Sequence, residues 1–405
     1  MAAARRRRRS RAVDLARYRS IIPDWAAFTA SAGRPEPTVF RVRTGRVDES
    51  ALLDRLGRQG FRLTSVEGLP TFYRVDEGPH PISMTFEHWA GLIYVQQAST
   101  GVAAPQLGVS QGERVLDLCS APGGKTSHLA ELMGDRGCLV ASEIDERRIR
   151  GLLGNIYRLG HPNALAVACD GRHVPEGALF DRVLVDAPCS GEGTLRRRSG
   201  EAPNQSRSFL KYVTRLQQAL LEKAVRLCRP GGTILYVTCT FSPDENEAVV
   251  SNVLERSPVD LEPLELEVPH AAGLTSFEGV GFDARLQHAA RIYPHHFDSG
   301  GLFVARLRRL EGEAAQPGRD VGWSPIPRAF PGDGVAEESA GERVSEALEE
   351  LVRRYGIPTE ALERYGWTLR GGRVWAHSAD EWPLRAWAAG PWRPVSVGVR
   401  AIEFD

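Results

Sequence analysis

Apolar positions fall into stretches of different spacing along the chain. Between Thr38 and Asp76 the short β-branched run "TVFRVRT" precedes "ESALLDRLGRQG", whose apolar residues recur at helical spacing up to Gly60, and then "TFYRV", a second strand-like run. Together they predict a small α+β unit. From Met84 to Leu310 short apolar runs alternate with amphipathic ones. "RVLDL", "CLVASE", "ALAVAC", "FDRVLVDAP" and "GTILYVTCT" read as strands. Lys125 to Met133, "DERRIRGLLGNIYRLG", "SFLKYVTRLQQALLEKAVRLC" and "DENEAVVSNVLERS" read as helices, and "ARIYP" with "GLFVARLRR" as a closing pair of strands. Such alternation predicts an α/β domain with a mainly parallel sheet covered by helices on both faces.

Periodicity stops between Glu311 and Glu342, where Gly, Pro, Glu and Ala dominate, as in a linker. Beyond it "VSEALEELVRRYG" and "PTEALERYG" predict helices, and "WTLRGGRVWAHS" a strand, turn and strand. Trp375, Trp382, Trp387 and Trp392 read as the core of a small β-rich domain in preference to a stacking surface. The expected division is a basic, partly disordered N-terminus (1–34), an N-terminal unit (35–83), the large α/β domain (84–310), the linker (311–342) and a C-terminal α+β domain (343–405).

Composition narrows the class. A chain of 405 residues, 42% of them hydrophobic, is long enough for two or three domains with a core in each. No apolar run approaches the roughly 18 residues of a membrane span, and "RRRRRSR" is followed by charged sequence, not by a signal-peptide segment, so cytoplasm is expected. A net charge of zero gives no global argument for nucleic acid, and Arg5 to Arg9 read first as a solvated tail. Cys119, Cys138, Cys169, Cys189, Cys228 and Cys239 include no C-x-x-C pair, so neither a zinc site of that type nor a disulfide framework is expected.

The chemistry concentrates at "DLCSAPGGKT", Asp117 to Thr126. A triphosphate loop needs glycine five residues before Gly124, where Cys119 stands, and G-x-G-x-x-G is absent too. What remains is a strand, a glycine turn and a helix N-terminus, a setting that favours the negative end of a ligand. Glu143 ends the next strand about twenty residues after Gly123, suited to ribose hydroxyls, and Asp170 follows the third strand, suited to an adenine amine. Singly, Asp117, Glu143 and Asp170 also read as solvated strand ends or a turn; jointly they favour a nucleoside with a carboxylate and no pyrophosphate, S-adenosylmethionine. Cys189 and Cys239 close the fourth and fifth strands and should reach the same edge, in loops rather than in the core where cysteines are inert. A thiol nucleophile beside a sulfonium donor suits methylation of an electron-poor carbon such as the 5-position of a pyrimidine.

The segments "HWAGLIYVQQAS", "DLCSAPGGKT", "NIYRLG", "CDGR", "DAPCSGEG", "RPGGTILYVTCT", "PDENEAVV" and "RIYPHHFDSGGLFVARL", in that order, resemble the Nol/Nop/Sun family of RNA (cytosine-5) methyltransferases across roughly Thr38 to Arg309. The resemblance implies a class I methyltransferase, Rossmann-like, with a mostly parallel seven-stranded sheet and an RRM-like N-terminal unit. It implies that Cys239 attacks C6 of cytosine, Asp186 holds the N3/N4 edge, Cys189 assists loss of the C5 proton and release, and Lys125 positions or polarises the site. The cofactor would lie against Cys119, Ser120, Ala121, Pro122, Gly123, Gly124 and Lys125, with Glu143, Arg148, Asp170 and Asp186. A base so attacked must leave its stack.

Two departures stand out: Arg43 replaces the family's usual Asn, and Thr-Cys-Thr its commoner Thr-Cys-Ser. By family likeness "HWAGLIYVQQAS" becomes a bridging helix, and His88, His295 and His296 are structural, with no metal expected. The C-terminal region, through "RYGIP…RGGRVWAH", resembles the PUA-like RNA-binding domain of the bacterial small-subunit rRNA branch. The expected partner is therefore ribosomal RNA, with transfer RNA as rival, no membrane, and a monomeric protein; a noncatalytic RNA-binding assembly factor is the reading of a different class.

Overall fold

The computed structural model describes residues 15–176, 178–198, 206–311, 322–384 and 392–403. Arg5 to Arg9 and Trp387 lie outside the described residues. No helix among the described residues is long and apolar enough to cross a membrane.

The stretch 15–34, expected to belong to a partly disordered tail, is folded. Helix Trp25–Ala32 is capped by the Asp24 side chain, which accepts from Ala27 N, and packs Phe28 against Phe241 and Tyr293 at ring-centroid distances of 5.5 and 6.3 Å. The buried Tyr18, Ile22 and Phe28 are the apolar anchors that the neighbouring arginines obscured.

Strands β1 (Val39–Val42), β2 (Arg62–Ser65), β3 (Phe72–Glu77) and β4 (Ile93–Val95) form an antiparallel sheet in the order β2-β3-β1-β4. Helix Glu49–Arg58 buries Leu52 and Leu56 in one cluster with Phe40, Val42 and Ile93. The N-terminal unit therefore runs past residue 83, because β4 comes from "HWAGLIYVQQAS". That segment is not one helix: it holds the end of helix Phe86–Trp89, then β4, then the start of helix Ala98–Gly101. Gly91 makes the break, with φ 71° and a backbone so close to Arg158 O that an added Cβ would lie 2.0 Å away.

The central sheet has five parallel strands: β5 (Arg114–Asp117), β6 (Cys138–Glu143), β7 (Ala164–Ala168), β8 (Phe180–Asp186) and β9 (Cys228–Thr238). Antiparallel strands β10 (Val259–Glu262), β11 (Ala271–Ala272), β14 (Ala290–Ile292) and β15 (Leu302–Arg309) extend it, while β12 (Ser276–Phe277) and β13 (Val280–Gly281) pair apart as a hairpin. The order is β11-β14-β15-β9-β8-β5-β6-β7, with β10 on β15, so the expected seven strands are the heart of a larger, ten-stranded sheet. Along the parallel strands successive residues face opposite ways into two buried clusters: Val115, Leu139 and Leu184 into one, Leu116, Val140 and Val183 into the other. Covering both faces explains why these strands read as continuous apolar runs. Strand order reverses between β5 and β8, which opens a crevice at their C-terminal ends.

Two buried arginines weld the N-terminal sheet to the central one. Arg41 forks onto Glu131 (2.8 and 3.1 Å) and also donates to Gln96 and Ser127. Arg43, the departure from the family pattern, donates to Asp135 at 2.5 Å, beside His161.

The C-terminal strands β16 (Tyr365–Arg370), β17 (Arg373–Ser378) and β19 (Val399–Glu403) make their own sheet, whereas β18 (Arg393–Pro394) adds to the free edge of β7. Ser378 Oγ donates to Gly137 O at 2.6 Å and Gly398 N to Ala164 O at 2.8 Å, so this region is docked on the central sheet. Trp375, Trp382 and Trp392 are buried as core. The expected linker is only partly one: from 322 on, Trp323 meets Phe180 edge-on at 5.3 Å, Ile326 and Phe330 are buried, and the next helix starts at Glu337, earlier than 343. Three large apolar anchors spaced among Gly and Pro escaped the periodicity test.

Candidate active site

The glycine turn after β5 is built from beneath. Asp117, 1% exposed, accepts from Thr126 Oγ1 at 2.8 Å and from Cys119 N at 3.3 Å, and burial pushes its pKa up to about 7. Ser120 fastens the turn to β6 by donating both N–H and Oγ to Ser142 O at 3.0 Å. Arg148 Nη2 donates to Ala121 O, and Asn155 Nδ2 to Pro122 O at 2.8 Å. Gly123 has φ 104°, a left-handed conformation, and an added Cβ would meet Leu152 Cδ1 at 3.1 Å. Helix Gly124–Leu132 starts there with no side-chain cap on its N-terminus, leaving backbone donors for a ligand. Burial and the acids around it hold the Cys119 thiol well above its ordinary pKa, so Cys119 is no nucleophile.

Glu143 ends β6 at this edge. Its Oε1 accepts from Asp145 N at 3.0 Å and its Oε2 pairs with Arg148 at 3.1 Å. Arg148 thus clamps the turn and the acid together. Asp170 follows β7 and caps the turn Gly171–His173, its carboxylate forked by Arg172 Nε and Nη2, which lower its pKa. Cys119 to Lys125, Glu143, Arg148 and Asp170 therefore share one edge of the sheet, with Glu143 and Asp170 both already engaged by arginines.

Lys125 and Asp186 meet across the crevice, Nζ to Oδ2 at 2.8 Å. Burial alone would lower the Lys125 pKa, but the charge and hydrogen bond of Asp186 outweigh it and the net shift is upward. Cys189 and Cys239 lie with their sulfurs 3.3 Å apart, as free thiols. Their shifts are opposite. The hydrogen bond from Cys189 lowers the Cys239 pKa against the penalty of burial, with help from Lys125; the same bond and burial raise Cys189. Cys239 is the member poised to be a thiolate, and Cys189 the member that keeps its proton.

The loops that aim the sulfurs rest on groups that pattern reading did not single out. Glu245, fully buried, accepts from Ser190 N at 2.8 Å and Gln217 Nε2 at 3.1 Å, tying the Cys189 loop to helix Arg207–Leu227. Glu192 accepts from Thr240 Oγ1 (3.0 Å), Phe241 N (3.1 Å) and Tyr18 OH (2.9 Å). Asn246 donates to Thr240 O at 3.0 Å, and Gly193 N to Cys239 O at 2.8 Å. Glu192, Glu245 and Asn246 sit inside "DAPCSGEG" and "PDENEAVV", but Asp244 to Asn246 form a turn before a helix that begins at Glu247, not the helix start expected. Only their near-complete burial, with hydrogen bonds to residues distant in sequence, marks them as struts. His295 and His296 pack around Tyr293, and burial lowers both pKa values, that of His296 to about 4. No group of three or more metal-ligating side chains occurs among the described residues.

The family model for 16S rRNA methyltransferase RsmB/F matches residues 104–308. The chain belongs to that family. The ribosomal RNA small subunit methyltransferase F of Erwinia tasmaniensis is 36% identical over 76% of this chain and 65% of its own length. The 28S rRNA (cytosine-C(5))-methyltransferase of Mus musculus is 33% identical over 70% of this chain and 36% of its own. A crystal structure of a methyltransferase homologue from Pyrococcus horikoshii superposes with a TM-score of 0.66 at 34% identity, covering 73% of this chain and 94% of that one. The chain spans a little under two thirds of the length of the first bacterial relatives, 65% and 63% for two of them. The RsmB/F match covers the turn at Asp117, both thiols and the Lys125–Asp186 pair.

Proposed function

We propose that this chain is an S-adenosylmethionine-dependent methyltransferase that forms 5-methylcytosine in ribosomal RNA through a covalent Cys239–C6 adduct. The observation that carries the reading is the thiol pair 3.3 Å apart, with Cys239 lowered and Cys189 raised, beside the Lys125–Asp186 ion pair. The names of the relatives, which act on ribosomal RNA, favour that substrate over transfer RNA.

The donor set fits the cofactor. Cys119 stands where a phosphate loop needs glycine, Gly123 lets the backbone approach closely, and the uncapped helix start offers N–H groups to a carboxylate. Glu143 supplies the acid for ribose hydroxyls, Asp170 an acceptor for an adenine amine, and Ile144, 64% exposed, an apolar face next to them. S-adenosylmethionine, when bound, supplies an electrophilic methyl group on a sulfonium.

The protein's own part is to make the pyrimidine a nucleophile. The Cys239 thiolate would add to C6 and place an electron pair at C5, ready to take the methyl group that the cofactor would supply as its sulfonium becomes a neutral thioether. Asp186 accepts from the N4 amine edge and steadies the adduct electrostatically, with Lys125 balancing the charge. Loss of the C5 proton then returns the electron pair, breaks the C6–S bond and restores the thiolate. The proton passes to water, and the Cys189 S–H, which hydrogen-bonds the departing Cys239 sulfur, assists that release. Exposed Phe86 and Trp89, rings 5.7 Å apart, give a stacking surface for unpaired RNA.

The test is methyl transfer from labelled cofactor to total RNA, fractionated by size, by wild type and by Cys239→Ala. Label in small-subunit rRNA with wild type alone is expected. Equal label from both proteins removes Cys239 as nucleophile, label in transfer RNA replaces the substrate, and none from wild type leaves the binding role. Cys189→Ala should accumulate a protein–RNA adduct that survives a denaturing gel.

A further inference from the structure

We propose that a polar cavity beside the thiols holds the nucleobase next to the target cytosine, and that Glu36 and Gln97 read its hydrogen-bonding edge. The inference rests on the RNA methylation reading and adds a recognition subsite to it. The cavity measures about 330 Å³ and lies where the segment from Pro35 to Val39, the end of β4 and the turn carrying Arg196 and Arg197 meet. Its wall is continuous with the nucleophile loop. Gly193 donates to Cys239 O at 2.8 Å and accepts from Gly301 N at 2.9 Å, and Gln97 packs so tightly on Gly300 that a Cβ there would lie 1.8 Å from Nε2. On the other side β4 carries Tyr94 to the start of the cofactor helix, where a Cβ on Gly124 would lie 3.5 Å from the Tyr94 hydroxyl. The cavity is thus one layer of residues from both halves of the site.

Several of its polar groups are already used. Arg196 is buried and donates to the carbonyls of Arg34, Pro35 and Ser299 and to Asp298, so it builds the wall. Gln96 is held between Arg41 and Thr100. Three groups remain. The Glu36 carboxyl accepts a long bond from Ser299 Oγ, 3.3 Å, and also faces the Gln97 side chain and the Arg196 and Arg197 charges, which act against burial on its pKa. Gln97 Nε2 is buried near that carboxyl without an aligned hydrogen bond among the described residues. Arg197 is exposed at the mouth and makes no ion pair among the described residues.

A buried amide donor left without a partner costs about 1–3 kcal/mol, so the favoured occupant brings an acceptor. An amide donor beside a carboxylate acceptor matches a ring nitrogen next to an exocyclic amine. Adenine and cytosine present that pair on one edge, while a flanking phosphate suits Arg197. Burial holds the Glu36 carboxyl above its ordinary pKa, the mark of a carboxyl facing a dry pocket. In enzymes that flip their target, contacts to the neighbouring nucleotides set sequence preference.

The experiment uses the full chain, S-adenosylmethionine and a pool of single-stranded RNAs with a fixed cytosine between randomised flanks, each flank recorded by a linked barcode of A, G and U, read by bisulfite sequencing. Wild type should enrich adenine or cytosine at one flanking position. Glu36→Gln and Gln97→Ala should each reduce that enrichment by about fivefold or more, with other positions unmoved. Arg197→Ala should lower yield for all sequences and flatten the salt dependence, leaving the preference intact. The two wall variants lie on different segments, so a folding defect in one leaves the other informative. Methylation with no flanking preference, or with a preference unchanged in both wall variants, overturns the pocket alone. No 5-methylcytosine from wild type, either in the pool or in total RNA, overturns the methylation reading and the pocket with it.

Discussion

Replacing Cys189 by alanine should raise the pKa of Cys239 and slow its reaction as a thiolate. In the native site the Cys189 S–H is the largest influence favouring the Cys239 thiolate, at a sulfur separation of 3.3 Å. Hydrogen bonds to charged groups contribute about 1.5–3 kcal/mol, and a thiol is a weak donor, so the lower figure applies. A loss of ~1.5 kcal/mol is about tenfold in the fraction present as thiolate. Water entering the space left by sulfur eases the burial penalty and trims this value. Lys125 acts on Cys239 in both proteins and cancels from the difference. The assay is the rate of iodoacetamide alkylation against pH, followed on the Cys239 peptide by mass spectrometry to keep the other thiols apart. Below the pKa the variant should react about tenfold more slowly, and Cys189→Ser, which retains a donor, should stay near wild type. A profile that does not move, or moves to lower pH, refutes the assignment of thiolate to Cys239 and thiol to Cys189.

Asp186→Asn removes the charge that outweighs burial at Lys125, so the lysine pKa falls and methyl transfer drops by about a hundredfold or more, while RNA retention on filters stays near wild type. Arg41→Met strands Glu131 beneath the N-terminal sheet at a cost of about 3 kcal/mol, the lower end for breaking a buried pair because Glu131 keeps some solvent contact. Thermal melting should reveal a loss of about 3–4 °C. Asp117→Asn should change how stability depends on pH. With its folded pKa raised to about 7, the native state holds a proton that the unfolded chain has lost above about pH 4, so this group's contribution falls as pH rises between those values. Urea midpoints of the variant relative to wild type should therefore improve from pH 4 to pH 7, and a flat difference removes the buried-acid argument.

What could be read from the chain, and what could not, follows the range of the interactions. The five parallel strands were legible because both their faces are buried, which makes each a short apolar run. Their ends were legible because Asp117, Glu143, Asp186, Cys189 and Cys239 follow such runs directly. Segments whose partners lie far away in sequence were not. Tyr18 reads as part of a basic tail until its hydroxyl is seen on Glu192, and Trp323 reads as linker until it meets Phe180. Arg43 looked like a lost asparagine contact, yet it is a buried ion partner of Asp135. The thiols show the limit most sharply. Strand order alone puts both at one edge and leaves open which attacks, and family likeness had to supply an answer. The 3.3 Å contact, which lowers Cys239 and raises Cys189, with Lys125 also lowering Cys239, makes the two sulfurs chemically unequal. The closeness of the two sulfurs in turn depends on Glu192, Glu245 and Asn246, whose buried hydrogen bonds hold the two loops in register.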